Sequence, residues 1–446
     1  MDRRTLLFSA GAAALVGGGG AAAQASEPIA TLRNVRIAGQ AGEAVDLHLR
    51  DGRIAQIGRS LPASDGQDLD LSGKFVSPGL ISAHCHIGSV QGVSVGAQFY
   101  TRENIARQLG VYAAYGVTTV ASLGLNTDLF YAIQRDVRTG AIQGADLFGA
   151  DRGFGVPNGG PPAQATSAQL FRPATEAEAR ANVRESIERG ADFIKLWLDD
   201  FQGAHLVKMD PSIYRAIIDE AHRGGRKVIA HVYYLEDARA VLEAGADILG
   251  HGVRDRPVDQ AFIDLMKRRK AACIPTLGLD EAFYLFAEQP ELLQTPVLSG
   301  ALDPALRAQL SNPQWRAGTL SNPALPQWKA AFATNKANAA ALHRAGVTLA
   351  FGADSGPMPL RIPGFAEHRE LALLVEAGLS PREAMTIATE GTASVMGLAD
   401  RGRIQTGMLA DLIILPADPF ADVRTIDRIE AVYRLGRRVV AGPRAS

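Results

Sequence analysis

From residue 80 to residue 355 the chain alternates short apolar runs with amphipathic stretches. The runs are LISAHCHIG (80–88), GVTTVASLG (116–124), ADLFGADRG (145–153), DFIKLWL (192–198), KVIAHVY (227–233), ADILGHG (246–252), AACIPTLG (271–278) and VTLAFGADS (347–355). Runs this short and this apolar predict strands covered on both faces, as in a parallel sheet. Between them lie segments of helical period, among them TEAEARANVRESIERG, PSIYRAIIDEAHRGG and LEDARAVLEAG. Several end in Ala-Gly or Arg-Gly, the expected helix stop. Parallel strands need right-handed helical crossovers, so eight such units predict an α/β fold, a (β/α)8 TIM barrel over residues 76–401.

The two ends read differently. TLRNVRIAG, EAVDLHLRDGRIAQIG and DLDLSGKFVSPG alternate apolar and polar positions, with Asp51-Gly52 as a hairpin turn. ADLIILPA and EAVYRLGRRVVAG, near the other end, have the same character. Residues 26–75 and 402–446 are therefore expected to build one small β-sandwich domain from both ends of the mature chain. Two stretches exceed a normal connection. Residues 287–328, rich in Pro, Leu and Asn, are expected as an insertion near the barrel mouth that shapes substrate access. The irregular GFGVPNGGPPAQATSAQLFRPAT (153–175) is a candidate lid.

Residues 1–25 do not belong to this pattern. A basic start with Arg3-Arg4 leads into TLLFSAGAAALVGGGGAAA and the small-residue stop Ala23-Gln24-Ala25. That is the form of a secretory signal, too short and too rich in Gly and Ala for a transmembrane helix. The paired arginines resemble a twin-arginine signal, so a periplasmic or secreted location is expected. Composition adds only exclusions. A net charge of -1 over 446 residues leaves no basic surplus for nucleic acid or anionic membrane, and points to a small-molecule substrate. A homo-oligomer stays open. Two cysteines, Cys85 and Cys273, make no disulfide framework and read as core residues.

The chemistry lies at the ends of the apolar runs. His84 and His86 are two apart, so in a strand they point the same way. Lys195 sits inside Phe193–Leu198, where an unpaired ammonium is expensive and calls for compensation. His231 and His251 end two further runs, and Asp354 ends the last. Taken singly, each has an ordinary reading: a core histidine, a lysine reaching out of a strand end, a helix cap. Five such elements at successive strand ends, where a barrel places its active site, point instead to metal-dependent hydrolysis. Asp354 is also the candidate catalytic acid–base. For substrate contacts, Tyr233 shares the face of His231, Arg254 follows His251, and Arg152 and His368 follow the third and eighth strands.

With GKFVSPGLI leading into His84-Cys85-His86, the histidines of IAHVY and LGHGV, and FGADSG, the chain resembles the amidohydrolase superfamily of metal-dependent hydrolases, in its imidazolonepropionase-like and prolidase-like branch. HRELALLVEAGLSPREAMTIAT and GRIQTGMLADLIILPADP match that branch's closing helices and returning β domain. The resemblance implies two divalent metal ions, zinc being the expected one. It implies that Lys195 is carboxylated to a bridging carbamate, that His84, His86 and Asp354 hold the first ion, and that His231 and His251 hold the second. It also implies that Tyr233 contacts a substrate carboxylate. Ser82 departs from the pattern, which usually has an acidic residue there; a supporting hydrogen bond is in doubt, not the metals. The implied reaction is cleavage of an amide C–N bond of a dipeptide or N-acyl amino acid by metal-activated hydroxide. A lactonase or organophosphate hydrolase, a mononuclear deaminase or cyclic-amidine hydrolase, and a non-catalytic scaffold are the alternatives.

Overall fold

A computed structural model of the chain describes residues 29–439, apart from 65, 162–165, 205–206 and 300. The expected export signal therefore lies outside the described residues. No helix among the described residues is long and apolar enough to cross a membrane.

Parallel strands run in the predicted order. Leu80–Cys85 pairs with Val117–Leu123, which pairs with Asp146–Ala150. Ile194–Trp197, Val228–His231, Ile248–Leu249 and Ala272–Cys273 form a second parallel set. Parallel bridges join the sets, from Ala150 to Phe193, from Cys273 to Leu349 and from Ser355 back to Cys85. The eighth run thus closes the ring, with Ala83 N donating to Phe351 O at 2.7 Å and Asp354 N to His84 O at 2.9 Å. Ile81, Ala121, Phe193, Ile229, Ile248, Ile274 and Ala350 pack together as the barrel's interior. Their neighbours Leu80, Val120, Leu147, Leu196, Val228 and Leu249 belong to the separate layer beneath the helices. Cys85 and Cys273 lie in that outer layer, buried and unbridged.

One irregularity positions the site. The register of the first strand shifts between Ser82 and Cys85. Ile81 and Ala83 face the interior while Cys85 faces the helices, so strict alternation has slipped by one residue. That slip turns His84 and His86 inward together, a common use of a bulge beside an active site.

Strands from both ends of the chain share one sheet at the foot of the barrel. Ile29–Ile37 pairs with Val45–Arg50, Gln67–Asp70 and Phe75–Pro78; Leu412–Leu415 pairs with Phe75–Pro78 and Ala431–Arg434. A register shift between Leu32 and Val35 lets the long first strand serve both halves, which enclose Leu32, Leu47, Ile54, Val76, Leu412 and Tyr433. At the Asp51-Gly52 turn both residues have positive φ, 51° and 74°, as a tight hairpin demands.

The 287–328 segment and its flanks carry several helices, including Pro304–Leu310, Pro313–Leu320 and the long Leu325–Arg344. Prolines of this insertion occupy first helical positions. Asp303 and Asn312 cap the two shorter helices by accepting from Ala305 N and Gln314 N. Leu285, Phe286, Leu298, Leu306, Ile362 and Phe365 give this segment a core of its own.

Candidate active site

Five strand ends deliver buried polar groups to one place, the end of the barrel where this fold carries its chemistry. The Nε2 atoms of His84 and His86 stand 3.4 and 3.3 Å from Asp354 Oδ1, an oxygen without a hydrogen-bond partner among the described residues. Ligand atoms of the three lie within 4.8 Å of one another, and all three side chains are buried. Lys195 Nζ is 3.5 Å from His84 Nε2. The ring of His251 is 4.6 Å from that of His84 and 4.4 Å from that of His231. Every predicted metal-ligand residue is therefore in the cluster.

The groups behind these side chains fix their orientation. Gly250 O faces His84 Nδ1 at 2.6 Å, and Thr276 Oγ1 faces His251 Nδ1 at 2.8 Å. In each ring the Nε2 lone pair is then left for the site. Burial holds His84 and His251 neutral, well below the usual imidazole range, with the charge on Lys195 acting in the same sense. Burial also brings the Lys195 amine down to about 7, against the attraction of Asp354 and Asp199. Burial opposes ionisation of Asp354, but Arg361, His84 and His86 outweigh it and hold its carboxyl well below the usual range. An ionised, partly unsatisfied carboxylate beside the neutral His84 ring is costly in an apolar interior without a cation. The donor set therefore fits a divalent metal ion, and its nitrogen and oxygen chemistry suits zinc.

Above the cluster opens a cavity of about 490 Å³. Its polar floor includes His86, His231, His251 and Asp354; Trp197, Phe201, Phe283, Trp328 and Met358 give it an apolar wall. Trp328 comes from the 287–328 segment, and Pro161 and Gln169 from the irregular stretch after the third strand. Both long connections thus reach the mouth.

Substrate candidates divide. Tyr233 and Arg254 line the cavity, with the guanidinium 5.0 Å over the phenol ring. Arg152 and His368 do not line it and are corrected. Gly153 turns the chain at φ 79°, and Arg152 pairs with Glu185 at 3.1 Å, over the ring of Phe171. His368 bonds Asp427 Oδ1 and Tyr115 O, both at 2.8 Å, so it joins the barrel to the returning segment.

Two residues were missed. Asp199 is wholly buried, with Oδ1 3.4 Å from His231 Nε2, and the ring of Phe201 stacks on that imidazole at 4.7 Å. Lys195, Trp197 and Asp199 alternate along one face of KLWLD, a signal the spacing offered. Arg361 forms an ion pair with Asp354 Oδ2 at 2.5 Å; nothing in PLRIPG announces it. At Ser82 a buried carboxylate from elsewhere stands in for the missing acid. Ser82 Oγ and Ser355 Oγ both donate to Glu367 Oε1, at 3.1 and 2.6 Å.

The chain is similar to several known proteins. A putative prolidase from Bifidobacterium longum superposes with a TM-score of 0.74 at 27% identity, over 95% of this chain and 97% of that one. Aspergillus niger ochratoxinase is 26% identical over 277 residues, 60% of this chain. A 5-methylthioadenosine/S-adenosylhomocysteine deaminase of Halobacterium salinarum is 25% identical over 420 residues, 86% of this chain and 84% of that protein. The alignment with ochratoxinase spans half of that protein's length. The sequence pattern of the amidohydrolase family matches residues 75–439, and the chain belongs to that family.

Proposed function

We propose that this protein is a binuclear metal-dependent hydrolase that cleaves the amide C–N bond of a dipeptide or an N-acyl amino acid. The observation that carries this reading is Lys195, wholly buried and 3.5 Å from the Nε2 of His84, whose ring also adjoins that of His251. An amine there has no carboxylate within ion-pair distance among the described residues, and as a carbamate it would supply the anion that two cations need. His84, His86 and Asp354 would hold one ion, His231 and His251 the other, with carboxylated Lys195 between them. Bound divalent ions would polarise the scissile carbonyl and make a water acidic enough to attack near neutral pH.

The chain's own residues do the rest. Asp354 Oδ1, which lacks a hydrogen-bond partner, is placed to take the proton of the attacking water and return it to the departing amine nitrogen. The apolar wall of Trp197, Phe283 and Trp328 keeps bulk water from the cleft and receives an apolar side chain. The similar prolidase and ochratoxinase support the amide reading. The similar deaminase supports the deaminase alternative, and a mononuclear site of that kind would leave Lys195 without a role. Export by residues 1–25 belongs to the same proposal.

A mass-spectrometric screen of the zinc-loaded protein tests it, with dipeptides and N-acyl amino acids set beside a lactone and amino-purines. Release of free amino acids is expected. Turnover confined to lactones or ring amines would overturn the amide assignment. Within the site, Asp199→Asn should weaken metal binding at the His231/His251 position by about 10- to 100-fold, because a carboxylate behind a ligating imidazole fixes its tautomer. Competition with a chromophoric chelator measures this; wild-type affinity would assign Asp199 to packing alone.

A further inference from the structure

We propose that Glu367 and Glu370 are positioning residues that act through the backbone, Glu367 on the ion held by Asp354 and Glu370 on the ion held by His251. The inference rests on the two-ion reading and adds to it two carboxylates that lie behind the ligands.

Thr276 and Asp354, both at the ends of barrel strands, have left-handed backbones, with φ 46° and 50°. That conformation is uncommon outside glycine, and for a β-branched threonine it is an outlier that the surroundings must enforce. Thr276 Oγ1 faces His251 Nδ1, and Asp354 stands with His84 and His86 in the ligand group. Both residues are gripped from one helix, Phe365–Glu376, on which Glu367 and Glu370 lie one turn apart and buried.

At Thr276 the grip is direct. Leu277 N and Gly278 N donate to the two oxygens of Glu370, at 2.7 and 2.9 Å. Asn335 Nδ2 holds the other side by donating to Pro275 O at 2.9 Å. With the peptides on both sides fixed, the Thr276 hydroxyl stays where it sets the tautomer of His251. At Asp354 the grip passes through the next residue. Ser355 Oγ donates to Glu367 Oε1 at 2.6 Å, and Ser355 O accepts from His86 N at 2.8 Å. Ser82 Oγ, two residues before His84, donates to the same carboxylate oxygen at 3.1 Å. Gly364 N anchors the second oxygen at 2.8 Å. One carboxylate thus ties the histidine strand to the backbone of Asp354.

Packing does not account for the pair. Burial pushes both carboxyls up from the usual range, against the backbone donors, and the charge of Glu367 adds to the effect at Glu370. Two acids one turn apart in an apolar interior cost stability. What they provide is a fixed backbone at two strand ends.

Competition with a chromophoric chelator tests this apart from turnover, on Glu367→Gln, Glu370→Gln and each combined with Asp199→Asn. Glutamine keeps the size of the side chain but sets an N–H group against a backbone N–H. Each single variant should weaken one zinc ion by about 10- to 100-fold and leave the other at wild-type affinity. Asp199 stands behind His231. Asp199→Asn/Glu370→Gln should therefore still hold one ion tightly, and Asp199→Asn/Glu367→Gln neither. Two wild-type affinities in either single variant, or loss of the same ion in both, would overturn the assignment. Histidine nitrogen NMR of the metal-free protein gives a readout that does not depend on the number of ions. His251 should show a hydrogen-bonded Nδ1–H in wild type and in Glu367→Gln, and exchange between tautomers in Glu370→Gln. An unchanged His251 in Glu370→Gln would overturn the role of Glu370. If wild type binds one zinc ion while that difference holds, the two-ion reading falls and Glu370 keeps its role. Thermal melting reports folding; where a glutamine variant does not fold, the aspartate variant, with its charge drawn back by one methylene, carries the comparison.

Discussion

Lys195→Met should reduce hydrolysis by about 10³-fold or more while leaving the barrel folded. A metal site supplies several kcal/mol of transition-state stabilisation, and each ~1.4 kcal/mol is a factor of ten in rate. Methionine keeps the approximate volume of the buried side chain, so no large cavity opens, and it removes a cation that the apolar surroundings disfavour. The far-ultraviolet circular dichroism should therefore match wild type. On the proposed reading bound zinc should fall with activity, because Lys195 would supply the group that joins the two ions. Full activity in Lys195→Met would remove the reason for a second ion and favour the mononuclear alternative.

Asp354→Asn is expected to be worse, and in two separable ways. Activity should fall by a comparable factor, since one residue both binds metal and transfers the proton. Stability should fall as well, because Arg361 loses its 2.5 Å partner while buried. Breaking one side of a buried pair costs about 3–5 kcal/mol, and its replacement by apolar groups is often neutral. The double variant Asp354→Asn/Arg361→Met should accordingly recover most of the stability and none of the activity. Urea unfolding of the metal-free proteins measures the first, and amino acid release the second. A double variant no more stable than Asp354→Asn would mean that the pair is not what holds the loop.

The fold and the metal group were legible because they depend on period and position. Short apolar runs and helical segments with Gly stops specify a closed parallel barrel, and barrel strands end at the site. His84, His86, Lys195, His231, His251 and Asp354 could thus be read together from one rule. What stayed hidden depends on where loops carry side chains. Arg152 and His368 sit near the ends of strands in sequence, yet a turn at Gly153 and a pairing with Asp427 take them elsewhere. Arg361 lies in a Pro-rich loop without period, so only its contact with Asp354 identifies it. The bulge between Ser82 and Cys85 is equally silent in sequence, although the His84/His86 geometry needs it. At 287–328 the sequence announced an insertion but not its helices, because a proline after Asp or Asn starts a helix as readily as it ends a strand.

A zinc titration of the metal-free protein tests directly whether two ions joined through Lys195 do the chemistry. Hydrolysis of a dipeptide or N-acyl amino acid found in the screen is followed as zinc is added. Activity that rises until two equivalents are bound per chain, in wild type but not in Lys195→Met, is the predicted result. Activity complete at one equivalent, and unchanged by loss of Lys195, would contradict it.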